Sequence, residues 1–215
     1  MSVFPLFMDL RGKKCVVVGG GNVATRKIEA LLDFDADIHV ISPESTAEIN
    51  ELYYEGRIKV FEKKYEEKDL ENAFLVIAAT SDSSVNEIVY VDAVGRNVPV
   101  NVVDCPQKCT FIFPSIVKRG DLVIGISTSG GYPALSKCIR EKVEMVIPET
   151  YAELLMTLKE CRRRASTEVR NPQKRREMLG KLMEEVLCFG DNTSQEDLKQ
   201  RIENIFGDYR DEKNN

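Results

Sequence analysis

Three groups of residues in this 215-residue chain have the types and spacing to do chemistry. The first is Gly19-Gly20-Gly21-Asn22-Val23-Ala24, a Gly-x-Gly-x-x-Ala pattern directly after the apolar run Cys15-Val16-Val17-Val18. A strand that ends in such a turn and passes at once into a helix forms a phosphate cradle. Gly19 can take a tight turn that a Cβ would obstruct, Gly21 lets the backbone approach a pyrophosphate, and small Ala24 lets the helix pack on its strand. The free N–H groups at the helix start, those of Asn22 and Val23 among them, and its positive dipole end then face the phosphates. The second group is Asn101-Val102-Val103-Asp104, in which Asp104 is the only carboxylate between Asp92 and Asp121. Asp104 could act as a general base, bind a metal, or simply form a turn before Pro106. The third is Ser127-Thr128-Ser129-Gly130-Gly131, followed by Pro133. That loop offers backbone donors to an anionic group, or is a plain strand-to-helix turn.

The elements that must position these residues alternate in type through the first half of the chain. Strands are expected at Lys13–Val18, Asp37–Ile41, Ile58–Phe61, Asn72–Ala79 and Val98–Val103, and helices at Val23–Phe34, Ser45–Glu55 and from Asp82 or Ser83 to Val94. Val23, Ile28, Leu31 and Leu32 are expected on one side of the first helix. The near-continuous apolar run Phe74-Leu75-Val76-Ile77 fits a parallel strand buried on both faces. The pattern predicts an α/β doubly wound parallel sheet with right-handed crossovers. After Asp104 two strands, Thr110–Val117 and Asp121–Ser127, are expected across a turn at Lys118-Arg119-Gly120. A helix from Pro133 to about Val146 follows, then helices near 149–168, 172–188 and 194–206, punctuated by Asn171-Pro172 and Gly190-Asp191-Asn192. The polar residues Asp208–Asn215 are expected to fray.

In an open α/β sheet the ligand sits beyond the carboxyl ends of the strands. That rule selects the loops 19–24, 42–45, 79–83 and 101–106. The second should meet an adenosine ribose, and Ser42 and Glu44 are its candidates. Glu44 is equally an ordinary first-turn carboxylate at a helix start. The stretch Ser42–Asn50 holds no Lys or Arg to receive a 2′-phosphate, which favours NAD over NADP. Thr80 should lie near the cofactor, with helix capping by Ser81 or Asp82 as the competing explanation for its loop.

Composition narrows the class. The chain is 43% hydrophobic with a formal net charge of -5, which argues against a general nucleic-acid binder. No apolar run reaches the roughly 20 residues needed to span a bilayer, and Met1–Leu10 lacks the basic start and cleavage site of a signal peptide. A cytoplasmic protein is expected. Six dispersed cysteines suggest reduced thiols. Cys105 and Cys109 form the only close pair, and the single histidine, His39, lies in an apolar strand, so no metal site is expected. The basic residues of 162–176 alternate with Glu160, Glu168 and Glu177 and read as a solvated face; attraction of a polyanionic substrate is a secondary reading.

These residues resemble the precorrin-2 dehydrogenase and sirohydrochlorin ferrochelatase family, which includes the N-terminal module of siroheme synthase. The matching pieces, in order, are Phe4-Pro5-Leu6-Phe7 with Leu10, Val17–Ala24 with Arg26-Lys27, and Ile77-Ala78-Ala79-Thr80. They continue with Asn101–Asp104, Phe111-Ile112-Phe113-Pro114-Ser115, and Ile126–Gly131 with Pro133-Ala134-Leu135. The resemblance implies a Rossmann domain over 1–113, a dimerisation region over 114–147 and a helical domain over 148–215. It implies NAD-dependent oxidation of precorrin-2 to sirohydrochlorin, with insertion of ferrous iron or cobalt in some members. It gives Asp104 the key catalytic role and puts Ser127, Thr128 and Gly130 in the region that meets the tetrapyrrole. The strand-rich segment 110–130 suggests pairing with a second copy, so a homodimer is expected. The competing reading is a non-catalytic module that senses NAD or NADH.

Overall fold

The computed structural model describes residues 3–188 and 195–210. The Gly190-Asp191-Asn192 break and the tail beyond Arg210 lie outside the described residues, whereas Asp208 and Tyr209, expected to fray, are helical, with Tyr209 packed on the helical core. The chain divides into two compact units, Met1–Pro114 with Ser127–Pro133, and Ser115–Ile126 with Ala134–Asn215.

The first unit is an α/β Rossmann-type domain. Its parallel sheet contains β1 (Lys14–Val18), β2 (Asp37–Ile41), β3 (Lys59–Phe61), β4 (Leu75–Ala78) and β5 (Val100–Val102), in the order β3-β2-β1-β4-β5. Helices α1 (Asn22–Leu32), α2 (Ala47–Tyr54) and α3 (Ser83–Gly95) connect them. Alternate residues of each strand serve opposite faces. Cys15, Val17, Ile38, Val40, Leu75 and Ile77 pack with Ala24, Ile28 and Leu31 of α1 and Ile49 of α2. Val16, Val18, Val76, Ala78, Val100 and Val102 pack with Val89 and Ala93 of α3. Strand order reverses between β1 and β4, which opens the crevice beyond their carboxyl ends.

Two expectations about this unit change. The buried stripe of α1 is Ala24, Thr25, Ile28 and Leu31, and Val23 is 37% exposed. Spacings of three and four from Ala24 centre the helix on the sheet and turn Val23 outward. The segment from Thr110 to Pro114 is not strand. Thr110 N–H donates to Val100 O, Thr110 Oγ1 accepts from Val100 N–H at 2.8 Å, and Phe111 and Phe113 pack against the first face of the sheet. Pro114 has no N–H to give a ladder.

The second unit holds an antiparallel ribbon of β6 (Ser115–Arg119) and β7 (Leu122–Ile126), joined at Gly120-Asp121. Helices α4 (Pro133–Val146), α5 (Tyr151–Glu168), α6 (Pro172–Cys188) and α7 (Gln195–Tyr209) follow. Asn171 Oδ1 caps α6 by accepting from Gln173 N–H at 2.9 Å and Lys174 N–H at 3.2 Å. The core of α5–α7 is Cys161, Ala165, Val169, Met178, Leu182, Ile202 and Phe206. The Arg164 guanidinium stacks 4.1 Å from the Phe206 ring centroid and bonds Glu203 at 2.6 Å, while Arg163 bonds Glu160. These basic residues of α5 are therefore laced to carboxylates. No described helix is long and apolar enough to cross a membrane.

Among the described residues, Phe206 is the largest wholly buried side chain. Phe206→Ala should lower unfolding stability by about 3–5 kcal/mol, read as an earlier urea midpoint. A loss under about 1 kcal/mol would mean that this core collapses around the cavity.

Candidate functional site

The glycine turn is shaped by what lies against it. Gly19 has φ +116, and a Cβ there would sit 2.4 Å from Ala79 O. A Cβ on Gly20 would sit 2.2 Å from Glu44 O. Only Gly21 faces open space, with nothing within 4 Å of a Cβ position. Gly19 and Gly20 are thus required by the protein's own backbone, and Gly21 leaves room for a ligand. Backbone bonds fix the arrangement: Gly19 N–H to Ile41 O at 2.9 Å, Ala79 N–H to Val18 O at 2.8 Å, and Thr46 N–H to Gly20 O at 2.9 Å. Gly21 is the N-cap of α1, no side chain caps that helix, and its first turn holds no acid. Asn22 and exposed Val23 form the first turn, and buried Ala24 rests on the sheet.

The β2–α2 loop lies beside the turn. Ser42 is buried, and its hydroxyl donates to Glu44 O at 2.6 Å, so this side chain serves the loop itself. Glu44 is exposed and its carboxylate has no partner among the described residues. Ser45 Oγ is buried without a hydrogen-bond partner, and Ser45 Cα lies 2.9 Å from the Cβ position of Gly20. Neither Gly20 nor Ser45 was singled out by sequence reasoning. The run of three glycines was a usable signal for Gly20; nothing in the sequence marks Ser45.

At the end of β4, Thr80 closes a capping network. Its N–H donates to Asn86 Oδ1 at 3.2 Å, and its hydroxyl accepts from Asp82 N–H at 3.1 Å and bonds Asn86 Oδ1 at 3.0 Å. Asp82 caps α3 through Ser84 and Val85 N–H, and the Ser84 hydroxyl and these N–H groups hold its carboxyl below the usual range. The loop is also part of the crevice floor, since Thr80 N lies 3.0 Å from the Cβ position of Gly19.

Val103 N–H donates to Ala78 O at 3.0 Å, which brings the end of β5 alongside that of β4. Asp104 follows in a left-handed turn, φ +58, exposed and without a partner among the described residues. Two strand spacings separate it from the glycine turn, roughly 10 Å. The turn is pinned from below by Cys109. Its thiol accepts from Val102 N–H at 3.3 Å and lies within donating reach of Val102 O at 3.2 Å and Cys105 O at 3.4 Å. Burial pushes the Cys109 thiol up, so it keeps the proton it donates. Cys109 is a structural node, and no group of three or more metal-ligating side chains occurs among the described residues.

The Ser127–Gly131 loop belongs to the first unit and abuts the turn after Asp104: a Cβ on Gly130 would lie 3.9 Å from Pro106. Some of the local backbone donors are spent on the loop itself. Ser127 Oγ accepts from Ser129 N–H at 3.0 Å, Thr128 Oγ1 from Tyr132 N–H at 3.2 Å, and Thr128 O from Gly131 N–H at 2.9 Å. The hydroxyl hydrogens of Ser127 and Thr128 remain on offer, and the N–H groups of Thr128 and Gly130 make no hydrogen bond among the described residues.

These features fit a dinucleotide. The uncapped start of α1 supplies free N–H donors, and the open face of Gly21 beside two strand ends leaves room for a pyrophosphate.

Residues 6–115 match the family model described as "Putative NAD(P)-binding". The chain is 42% identical over 176 residues to the siroheme synthase of Methylobacillus flagellatus, covering 82% of this chain and 38% of that protein. It is 45% identical over 154 residues to the siroheme synthase of Pseudomonas fluorescens, covering 72% of this chain and 33% of that protein. The chain thus spans well under half the length of these curated relatives. Among solved structures, "SirC, precorrin-2 dehydrogenase" is similar with a TM-score of 0.73 and 31% identity, over 94% of this chain and 100% of that one. The cofactor of this first unit is a nicotinamide dinucleotide.

Two alanine substitutions separate folding from binding. Gly21→Ala should melt like the wild type yet weaken NADH binding at least tenfold, about 1.4 kcal/mol, in a fluorescence titration. Gly19→Ala should lower the melting temperature itself, because of the Ala79 carbonyl and the left-handed φ. Equal NADH affinity for Gly21→Ala and wild type would remove the phosphate role from residue 21.

Proposed function

The chain belongs to the family of precorrin-2 dehydrogenases and siroheme synthase dehydrogenase modules, and from that premise we propose that it oxidises precorrin-2 to sirohydrochlorin with NAD. The observation that carries the reading is Asp104, an unpartnered carboxylate on a left-handed turn two strand ends from the phosphate cradle. A bound nicotinamide supplies the acceptor for a hydride leaving the macrocycle. The chain's own groups do the rest. The N–H groups of Asn22, Val23 and Ala24, with the open face of Gly21, hold the pyrophosphate. Ser42, Glu44 and Thr80 line the adjoining strand ends. Asp104 takes the proton released as the hydride departs, and Ser127, Thr128 and the Gly130 backbone contact the tetrapyrrole. Glu44 supports NAD over NADP, because an exposed, unpartnered carboxylate repels a 2′-phosphate and Ser42–Asn50 has no Lys or Arg to bind one. Where the macrocycle then receives ferrous iron or cobalt as a second substrate, two pyrrole N–H protons leave: Asp104 takes one at a time and, being exposed, passes each to solvent.

The reading extends to organisation: a Rossmann domain over 1–113, a dimerisation region over 114–147, a helical domain over 148–215, and a cytoplasmic homodimer. A two-stranded ribbon is marginal by itself. Here α4 leaves Leu135, Met145 and Val146 exposed, and an open apolar groove of about 410 Å³ runs between Ile124 and Ile139, Val143, Val146 and Ile147. A second copy would cover that surface.

Anaerobic protein with precorrin-2 and NAD should yield sirohydrochlorin by absorbance; absence of any NAD-dependent product overturns the assignment. Asp104→Asn keeps a residue that tolerates left-handed φ, so it should fold and bind NADH normally while turnover falls at least about 100-fold. Wild-type turnover by that variant would remove Asp104 as the base. Adding iron or cobalt to the same reaction reads the chelatase step. Sedimentation equilibrium should give twice the chain mass, and a monomer would refute the dimer.

A further inference from the structure

Lys27 takes part in none of the roles above. It lies on α1, a turn and a half from the phosphate cradle, and is half-buried. Its Nζ sits 4.1 Å from the centroid of the Phe113 ring. Burial pushes its pKa down, Cys109 acts in the opposite direction, and Arg26 adds to the lowering. Lys59, Lys63, Lys68 and Lys108 of this unit pair with Asp37, Asp69, Glu66 and Glu87, and Lys14 bonds the Asp69 and Glu71 carbonyls. Lys27 has no ion-pair partner among the described residues. A partly desolvated ammonium without a counter-charge is unfavourable, and a cation over a ring recovers only part of the lost hydration. Such a group is stabilised when an anion arrives from outside.

The neighbours of Lys27 say where that anion comes from. Phe113 and Cys109 both belong to the segment that leads out of the Asp104 turn, and the Cys109 thiol is bonded to the Val102 and Cys105 backbone on either side of Asp104. Lys27 therefore joins the helix of the phosphate cradle to the segment that presents the carboxylate. A carboxylate held here would place the body of its molecule against the Asp104 turn. A lysine suits a flexible acid arm, since its ammonium is a compact charge on a mobile stem.

We propose that Lys27 is a positioning residue that pairs with a peripheral carboxylate of the tetrapyrrole and seats the macrocycle at Asp104. This rests on the tetrapyrrole reading above. Uroporphyrin I, a stable polycarboxylate tetrapyrrole, is the probe for the full-length protein, followed by fluorescence, with NADH titrated separately. Lys27→Met keeps the alkyl packing on Phe113 and should weaken uroporphyrin binding about tenfold with NADH affinity and melting temperature unchanged. Lys27→Arg, which also stacks on an aromatic face, should restore most of the affinity. With precorrin-2, Lys27→Met should raise KM about tenfold and leave kcat within about twofold. Wild-type uroporphyrin affinity and KM in Lys27→Met would overturn the proposal. A parallel loss of NADH affinity would overturn it too, assigning Lys27 to a cofactor phosphate. If the wild type neither binds uroporphyrin nor oxidises precorrin-2, the functional reading itself falls and takes this role with it.

Discussion

The carbonyl oxygens of Ala79 and Glu44 occupy the space where side chains on residues 19 and 20 would begin. Everything at the crevice depends on that close approach. With no Cβ in the way, the ends of β1, β2 and β4 meet backbone to backbone, joined through Gly19 to Ile41, Ala79 to Val18 and Thr46 to Gly20. The turn between β1 and α1 is thereby fixed from both sides. The start of α1 lies in the gap where strand order reverses, and its N–H groups face outward. A larger residue at either position would push apart the strand ends that define the crevice. Ser45 Cα shares that close approach, 2.9 Å from the Cβ position of Gly20.

Net charge alone would suggest that this acidic chain avoids anionic ligands, but the local distribution says otherwise. Acidic groups occupy helix starts elsewhere: Asp82 caps α3, Glu48 lies in the first turn of α2, and Glu196 and Asp197 lie in that of α7. Each such carboxylate neutralises the positive end of its helix. The first turn of α1 has none and no side-chain cap. That bare helix start lies directly behind the glycine turn. Screening at physiological salt acts over about 8 Å, so a phosphate held there feels this local field more than the distant surface acids.

Much of the first unit was legible because its strands are short apolar runs ended by turn-formers. Asp37–Ile41 is bounded by Ser42-Pro43, and helix starts at Asp82, Pro133 and Pro172 carry their own chemical punctuation. Thr110–Pro114 was misleading because Phe111-Ile112-Phe113 has the composition of a strand. Its aromatic rings are used on the face of the parallel sheet, and that demand comes from residues far away in sequence. Val23 failed for a related reason: apolar spacing allowed two stripes on α1, and Ala24 decided between them. Glycine pattern and Asp104 were readable as residue types. The parts played by Gly20, Ser45 and Cys109 exist only through neighbours that the fold supplies.

Asp104 shows what the fold contributes beyond residue type. A proton acceptor must gain a proton in one step and lose it in another. Hydrogen bonds donated to a carboxylate oppose the first of these, as at Asp82, whose Ser84 and Val85 donors hold it ionised. Asp104 has no hydrogen-bond partner among the described residues, and its backbone is left-handed, φ +58. That backbone conformation has to be held by something other than the side chain. Cys109 does so from beneath, through the Val102 and Cys105 backbone, while Asn101 Nδ2 donates to Phe111 O at 3.0 Å and closes the loop. The stabilising bonds are thus placed on the neighbours, and the carboxylate is left free of them.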